Sequence, residues 1–201
     1  MKKIILCTAF LLCGSNIIFG QVVYKSLPTT RTDADAEKKM PELIGLVDQP
    51  APIFTSTNLA GTEYNLESLR GKVVVINLWG TFCAPCIAEM PVLNALVEKY
   101  KGKDVVFLAP TPDDKSLLDG FLEKYPFKYQ VFPKSMPIIK QYAPKKKVSL
   151  PTDKPGGFIM LLPTHLVVDR QGKVVRHLWG YKTDSLIDDL TRSIDESLSK
   201  K

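Results

Sequence analysis

The feature that most constrains this chain is a C-x-x-C motif that directly follows a continuous apolar run. The run from Val73 to Trp79, VVVINLW, is rich in β-branched residues, as is typical of a strand buried on both faces of a sheet. Cys83 and Cys86 come next, and residues 86–100 then repeat apolar side chains at spacings of three and four. The sequence therefore predicts a buried strand, a C-x-x-C turn and an amphipathic helix, which Pro91 should kink.

Residues 1–20 have the layout of a secretory signal peptide. Two lysines, Lys2 and Lys3, precede an apolar run from Ile4 to Leu12, and small residues follow up to Gly20, where we place the cleavage. The mature protein is thus expected outside the cytoplasm, in the periplasm or an equivalent compartment.

Two other interpretations of the N-terminus stay open. An uncleaved membrane anchor is one, although a span needs about 17 to 25 apolar residues and a polar break interrupts this run after Leu12. Lipid attachment at Cys13 is the other, and the bulky Leu12 before it disfavours a lipoprotein signal.

The C-x-x-C motif could be a redox pair, half of a metal site or a structural disulfide. Of the four cysteines in the chain, only Cys83 and Cys86 remain after the signal is removed. Structural zinc needs four ligands, and the only two histidines, His165 and His177, come without a second C-x-x-C. A disulfide across so short a loop removes little entropy from the unfolded chain. A redox pair is therefore favoured.

Composition indicates one domain with a polar N-terminal extension. Residues 21–49 are polar and of mixed charge and are predicted to be a linker, and residues 50–201 form the domain. The formal net charge of +6 falls to +4 when Lys2 and Lys3 leave, which is too small to indicate nucleic acid as a partner. The lysine run 145–147 lies among prolines and is interpreted as a solvated loop.

Strands and helices alternate along the predicted domain, and an antiparallel hairpin closes it. After the C-x-x-C helix we expect a buried strand at 104–110, a helix that begins near Asp114, a short strand at 128–132 and a short helix at 136–143. An inserted loop or hairpin at 144–157, a hairpin at 165–180 and a final helix from near Asp184 follow. The helix that begins near Asp114 is predicted to carry these apolar residues on one face: Leu117, Leu118, Phe121, Leu122 and Tyr125.

The position of the motif assigns different roles to the two cysteines. A helix N-terminus presents free N–H groups and a positive dipole end to Cys83, which favours its thiolate. Cys86 lies one turn into the helix and should be more buried. Because the thiolate attacks a disulfide, Cys83 is predicted to be the nucleophile and Cys86 the resolving thiol.

These residues resemble the thioredoxin-fold thiol–disulfide oxidoreductases, and specifically the TlpA/ResA-like family. NLWGTFCAPC is similar to the family pattern N-F-W-x-x-W-C-x-P-C, and LLPTHLVVDRQGKVV is similar to its cis-proline segment, with Pro163 as the cis-proline. The resemblance covers about residues 50–198. It implies an α/β fold with a central mixed β-sheet flanked by helices, to which this chain adds the N-terminal extension and the insertion before Pro163.

The resemblance also implies a function. A family member reduces disulfides of protein substrates, takes electrons from a membrane thiol–disulfide donor, and can act in cytochrome c maturation. No metal or organic cofactor is implied, and a monomer is expected. The substrate would lie as an extended segment along the Pro163 edge, and the residues implied to contact it are Trp79, Phe82, Ala84, Pro85, Leu162 and Thr164.

Several positions depart from the pattern or define the branch. Phe82 replaces the usual tryptophan before the nucleophile, and Asn77 stands where thioredoxins proper have a buried aspartate, as in the ResA branch. Glu89 occupies the position of an acid in that branch and is predicted to take the proton from Cys86, directly or through a water. We interpret His165 as a strand histidine with a satisfied hydrogen bond.

Two further functions remain possible from the sequence. A peroxidase of the peroxiredoxin type would carry P-x-x-x-T-x-x-C, but Ile76 and Gly80 occupy the Pro and Thr positions. A non-catalytic interaction module with a static disulfide is the other, and a measured reduction potential separates it from an exchange catalyst.

Overall fold

The computed structural model describes residues 45–143, 145–148, 157–180 and 183–200. Its centre is a five-stranded mixed sheet in the order β5-β4-β3-β8-β9. The strands of this sheet are β3 (Val73–Leu78), β4 (Val105–Pro110), β5 (Gln130–Phe132), β8 (Thr164–Val168) and β9 (Val174–Trp179). Strands β3, β4 and β5 run parallel, whereas β8 is antiparallel to both β3 and β9.

Two small sheets and four α-helices complete the described part of the chain. Strands β1 (Thr55–Thr57) and β2 (Glu63–Asn65) pair with each other, as do β6 (Lys145–Val148) and β7 (Gly157–Met160). The helices are α1 (Ala84–Lys99), α2 (Lys115–Lys124), α3 (Met136–Tyr142) and α4 (Thr183–Ser199), and a 3-10 turn covers Glu67–Leu69. None of the described helices is long and apolar enough to cross a membrane.

The continuous apolar run becomes the central strand because both of its faces are covered. Every residue of β3 is buried. Val73 and Val75 point into a core shared with α1 and α4, and Val74 and Ile76 point into a second core that includes α3. Residues that alternate along the strand therefore line two different helix layers.

The sequence predictions of the strands and helices are confirmed with small shifts of their ends, and the helix face of α2 is the exception. Leu118 of α2 is fully buried, but Leu117 is 53% exposed, so the predicted stripe is wrong at that residue. The predicted thioredoxin-like α/β architecture is confirmed by the mixed sheet and its flanking helices.

The segment at 144–157 forms a hairpin in its described parts, since β6 and β7 pair antiparallel from Lys145 with Met160 to Val148 with Gly157. The prediction that the lysine run 145–147 is a loop is therefore wrong, because these lysines lie in β6 and pair with β7. The predicted signal peptide and most of the predicted linker lie outside the described residues. Asp48 and Gln49 are described: the N–H of Asp48 donates to the Val174 carbonyl and the N–H of Val174 donates to the Gln49 carbonyl, so the end of the predicted linker packs against β9.

The turn between β8 and β9 depends on Gly172. Its φ is +80°, in the left-handed region that favours glycine, and a Cβ there would overlap the guanidinium of Arg70. Asp169 organises the same turn by accepting hydrogen bonds from the N–H groups of Gln171 and Lys173. The turn aligns β8, which brings residues of β8 opposite the C-terminal half of β3.

Candidate active site

Cys83 and Cys86 form a disulfide at the N-terminus of α1. Cys83 is the N-cap residue, and its sulfur accepts a hydrogen bond from the N–H of Cys86 at 3.3 Å. Pro85 falls in the first turn, where its missing N–H costs nothing. Cys83 is 8% exposed and Cys86 only 1%, so the sulfur at the helix N-terminus is the more accessible one.

The loop before Cys83 is held by a carboxylate from another part of the chain. Oδ2 of Asp113, after β4, accepts a hydrogen bond from the N–H of Thr81 at 2.7 Å and another from the hydroxyl of Thr111 at 2.8 Å. The N–H of Cys83 donates to the carbonyl of Gly80. These contacts fix the approach of the backbone to the C-x-x-C motif.

Phe82 is the most exposed large apolar side chain of the described residues, at 71%. Its ring lies over Gly80, where a Cβ would come within 2.6 Å of the ring edge. Since Phe82 directly precedes Cys83, a broad apolar surface adjoins the accessible sulfur. This agrees with the predicted contact between Phe82 and substrate, which remains a prediction.

Pro163 follows a cis peptide bond, as predicted. The loop that carries it is pinned on both sides: the Thr164 hydroxyl donates to the Leu161 carbonyl at 2.6 Å, and the N–H of Gly180 donates to the Pro163 carbonyl. Leu162 is partly exposed, and its backbone makes no hydrogen bond to another described residue. A backbone of this kind is free to pair with an extended peptide.

Two of the residues implied to contact substrate do not reach the surface. Trp79 and Thr164 are fully buried, because Trp79 packs against Phe121 and Phe127 and Thr164 lies in the interior strand β8. Both support the site from inside. Ala84 and Pro85 are exposed beside the disulfide, as a substrate contact requires.

A buried polar cluster lies in the core between the sheet and α1. It joins Asn77 of β3, Glu89 of α1 and His165 of β8, which are exposed by 1%, 0% and 0%. Asn77 and His165 are directly opposite each other in the antiparallel pair. Glu89 is one helical turn from Cys86, on the same side of α1.

The contacts of the cluster converge on one carboxylate oxygen. Oε1 of Glu89 accepts a hydrogen bond from Nδ2 of Asn77 at 3.2 Å and lies 3.1 Å from Nε2 of His165. Nδ2 of Asn77 is also 3.0 Å from Nδ1 of His165. Oε2 of Glu89 and Nε2 of His165 each have no hydrogen-bond partner among the described residues, so the 3.1 Å contact between Nε2 and Oε1 is not a hydrogen bond.

Tyr129 borders the same cluster. Its hydroxyl is buried and has no partner among the described residues. Burial first, and then the charge of Glu89, raise the pKa of Tyr129 far above its ordinary value. The hydroxyl of Tyr129 therefore stays protonated and senses Glu89 as a nearby negative charge.

Comparison with known proteins places this geometry in a family. The sequence model of the Redoxin family matches residues 46–189. The chain belongs to the Redoxin family. A ResA thiol–disulfide oxidoreductase of Bacillus thuringiensis is 32% identical over 150 residues, which cover 74% of this chain and 78% of that protein. The ResA of Geobacillus kaustophilus is 28% identical over 195 residues, which cover 96% of this chain and 97% of that protein.

A solved structure shows the same fold in this Redoxin-family chain. A candidate thiol:disulfide interchange protein DsbE from Chlorobium tepidum superposes with a TM-score of 0.60 at 24% identity, over 75% of this chain and 96% of that one. Together with the ResA relatives, it identifies the chain as a TlpA/ResA-like protein of thioredoxin fold. The chain is a thiol–disulfide oxidoreductase.

The sequence does not indicate two residues of this Redoxin-family site, Asp113 and Tyr129. Asp113 accepts a hydrogen bond from the N–H of Thr81, and Asp114, near which the helix is predicted to begin, makes no side-chain cap bond. His165 is a strand histidine with a hydrogen-bond contact to Asn77, as predicted, and the structure adds the 3.1 Å approach of its Nε2 to Oε1 of Glu89. Tyr129 carried no signal. The departure of His165 from the family pattern was the one sign that could have pointed to the cluster.

Proposed function

We propose that this oxidoreductase reduces disulfides of protein substrates outside the cytoplasm by cycling Cys83 and Cys86 between dithiol and disulfide. The observation that carries the proposal is the asymmetry of the two sulfurs. Cys83 is accessible and receives an N–H at the helix N-terminus, whereas Cys86 is buried behind it. This arrangement stabilises a thiolate on Cys83 and protects Cys86 from solution thiols.

The reaction has two exchange steps. The Cys83 thiolate attacks one sulfur of the substrate disulfide and forms a mixed disulfide, and the second substrate sulfur leaves as a thiolate that takes a proton. Cys86 then loses its proton to Glu89 and attacks Sγ of Cys83. The mixed disulfide breaks, the first substrate sulfur leaves as a thiolate, and two electrons have passed to the substrate.

Substrate docking follows from the exposed groups beside the sulfur. An extended segment would pair its backbone with Leu162, next to the cis bond of Pro163, and lay apolar side chains on Phe82. Ala84 and Pro85 form the other side of this groove. Main-chain pairing of this type accepts many sequences, which suits an enzyme that acts on unfolded chains.

The cellular setting is proposed from the N-terminal sequence and the family resemblance. Residues 1–20 direct export, or anchor the chain if they are not cleaved, and a membrane thiol–disulfide donor returns the enzyme to its dithiol form. The enzyme acts as a monomer, and apocytochrome c is the substrate that the ResA likeness suggests. Mass spectrometry of the mature protein, expected to begin at Gln21, checks the cleavage.

Trapping of mixed disulfides tests the proposal. A Cys86→Ser variant in its native host should accumulate mixed disulfides with exported proteins, since the second exchange step is removed. Cys83→Ser is the matched control and should trap none. If neither variant captures a partner and the reduction potential of the wild type lies below about −300 mV, the disulfide is static and the proposal is wrong.

A further inference from the structure

The disulfide is one of the links that hold Cys83 at the N-terminus of α1. Cys83 is the N-cap residue with an extended backbone, and its sulfur accepts the N–H of Cys86 at 3.3 Å. In the oxidised protein the covalent bond to Cys86 maintains this position. In the dithiol form that bond is absent, so the position of Cys83 depends on the contacts of the backbone before it.

The backbone before Cys83 is held by the hydrogen bond from the N–H of Thr81 to Oδ2 of Asp113, at 2.7 Å. Thr81 lies midway along residues 79–83, which connect β3 to α1. The N–H of Cys83 itself donates to Gly80, a residue of the same connection. In the described part of the chain, the bond to Asp113 is the hydrogen bond that joins residues 80–83 to an element outside this connection and α1.

A hydrogen bond positions a loop only when its acceptor is itself fixed, and Asp113 meets this condition. Its backbone carbonyl accepts the N–H of Lys134 at 2.9 Å. Thr111, two residues earlier, donates its N–H to the Phe132 carbonyl and accepts the N–H of Ser135. The hydroxyl of Thr111, which is fully buried, donates to the same Oδ2 of Asp113 at 2.8 Å. The carboxyl group is therefore held by the ends of β4 and β5.

A capping role does not account for the side chain of Asp113. A carboxyl group at the start of a helix commonly accepts a free N–H of the first turn. The N-cap residue of α2 is Asp114, and it makes no side-chain cap hydrogen bond. Oδ2 of Asp113 accepts from Thr81 and Thr111 instead. The side chain thus joins the loop after β3 to the loop after β4.

We propose that Asp113 is a positioning residue for the nucleophile: its Oδ2 holds the N–H of Thr81 and thereby keeps Cys83 at the N-terminus of α1 when the disulfide is open. The inference rests on the proposed exchange reaction, because it concerns the form in which Cys83 attacks. At the helix N-terminus, free N–H groups stabilise the thiolate. The bond from Thr81 to Asp113 involves neither sulfur, so reduction of the disulfide leaves it in place.

The first test follows the amide of Thr81 by hydrogen exchange in NMR spectra of the intact protein, in the disulfide and the dithiol form. In the wild type this amide should be protected in both forms. Asp113→Ala should expose it, and more so in the dithiol form, because the disulfide then no longer restrains the loop. If the Thr81 amide of the wild type loses its protection on reduction, the bond is absent from the form that reacts and the proposal is overturned.

The second test measures the first attack by stopped flow with oxidised glutathione, in a Cys86→Ser background where resolution does not follow. Asp113→Ala should form the mixed disulfide about fivefold more slowly, which corresponds to about 1 kcal/mol, the usual net contribution of one hydrogen bond. Loss of a carboxylate charge would by itself favour the Cys83 thiolate, so slower attack reports on the hydrogen bond. Asp113→Asn, which retains an oxygen acceptor, should recover the wild-type rate.

Asn94→Ala is the matched control. Oδ1 of Asn94 accepts the N–H of Lys128 at 2.8 Å, a side-chain-to-backbone bond of the same kind, and Asn94 lies about two turns beyond Cys86 on α1. The variant should lose a similar amount of stability to Asp113→Ala and attack at the wild-type rate. An equal slowing in Asn94→Ala would show that lost stability, rather than the position of Cys83, limits the attack.

The variants of Asp113 overturn the proposal in two ways. Either Asp113→Ala folds and attacks as fast as the wild type, or Asp113→Asn is as slow as Asp113→Ala. If Asp113→Ala does not fold, Thr111→Val replaces it: it removes the hydroxyl that orients Oδ2 and should slow the attack about twofold, and a wild-type rate then overturns the proposal. If the wild type reduces no disulfide, the proposed function fails instead, and exchange of the Thr81 amide still decides whether Asp113 holds the loop.

Discussion

The two histidines of the chain lie on neighbouring strands, are both buried, and face opposite sides of the sheet. His165 on β8 faces α1, its Nδ1 is 3.0 Å from Nδ2 of Asn77, and its Nε2 lies 3.1 Å from Oε1 of Glu89 without a hydrogen bond. His177 on β9 is paired with Leu166, whose side chain belongs to the core around α3, and neither ring nitrogen has a hydrogen-bond partner among the described residues. Burial lowers the pKa of His177 to about 4, against a smaller opposing effect of the Tyr142 backbone.

The contrast shows that burial alone leaves a histidine neutral and inert. Without a side-chain partner, His177 adds a free-energy cost to folding, and this cost grows when the imidazole is protonated. His165, by contrast, has a side-chain partner, because Nδ2 of Asn77 lies 3.0 Å from its Nδ1. Each of the following predictions changes one side of this contrast, starting with the largest effect.

The largest expected effect is a loss of stability in acid that His177 causes. Its pKa is about 4 in the folded protein and 6.5 in the unfolded chain, so the unfolded state binds more protons below pH 6.5. Stability is complete above pH 6.5 and falls as the pH drops towards 4, by about 3 kcal/mol in total. Urea unfolding at pH 7, 5.5 and 4 measures this loss.

The variant His177→Leu isolates this contribution from that of the carboxylates, which also titrate near pH 4. Its free energy of unfolding should change less with pH than that of the wild type, while the two proteins differ little at pH 7. Parallel curves for the two proteins between pH 7 and 4 would show that His177 titrates normally.

On the other side of the contrast, Glu89→Gln should slow resolution of the mixed disulfide by about 100-fold, the low end for a lost general base. The first attack by Cys83 should stay nearly intact, because the helix N-terminus supplies its activation. Stopped-flow measurement of both half-reactions against pH gives the two rates. A resolution step that matches wild type across neutral pH would leave Glu89 without a catalytic role, and His177→Leu serves as the control here too.

The variant Tyr129→Phe tests whether the hydroxyl of Tyr129 takes part in the function of the polar cluster. The hydroxyl of Tyr129 is buried and unpartnered, so its removal should leave stability unchanged or raise it by up to about 1 kcal/mol. The rate of resolution should remain within about twofold of wild type. Thermal unfolding and the same stopped-flow experiment check both points, and a marked loss of resolution would place Tyr129 on the proton path.

The smallest effect is expected at an exposed charge next to His177. Nη2 of Arg176 is 3.0 Å from Oδ1 of Asp189, and the arginine side chain is 40% exposed. Arg176→Ala should cost less than about 1 kcal/mol, and the cost should vanish in high salt, because exposed ion pairs are screened. Urea unfolding at low and high salt measures it. If Arg176→Ala lost as much unfolding free energy as the wild type loses in acid through His177, burial would not determine the size of these stability effects.

The sequence was sufficient for features that local patterns encode. The apolar run of β3, the spacing in α1 and the C-x-x-C motif between them are each contained in a short segment, and the order of strands and helices followed from them. The cis bond at Pro163 was predicted from the resemblance of its neighbours to a known segment. All of these were confirmed.

Features that depend on distant contacts were not predicted. His165 is 88 residues from Asn77 in the chain, and their pairing depends on the register between β3 and β8. Asp113 is 32 residues from Thr81. Leu117 fits the apolar spacing of α2, but no neighbouring element covers its side chain. Periodicity shows which side chains share a face, but not which partner that face will meet.

Because the hydrogen bond from Thr81 to Asp113 holds the enzyme loop, the substrate rather than the enzyme must change conformation during disulfide exchange. The loop that leads to Cys83 is tied at Thr81 and again by the bond from the Cys83 N–H to Gly80, so this backbone is already ordered before any substrate arrives. The cost of fitting then falls on the incoming chain, which must straighten to reach a sulfur that is only 8% exposed. For the protein substrates that we propose, an unfolded chain can straighten at low cost and a compact one cannot, so we expect the enzyme to favour substrates that have not yet folded.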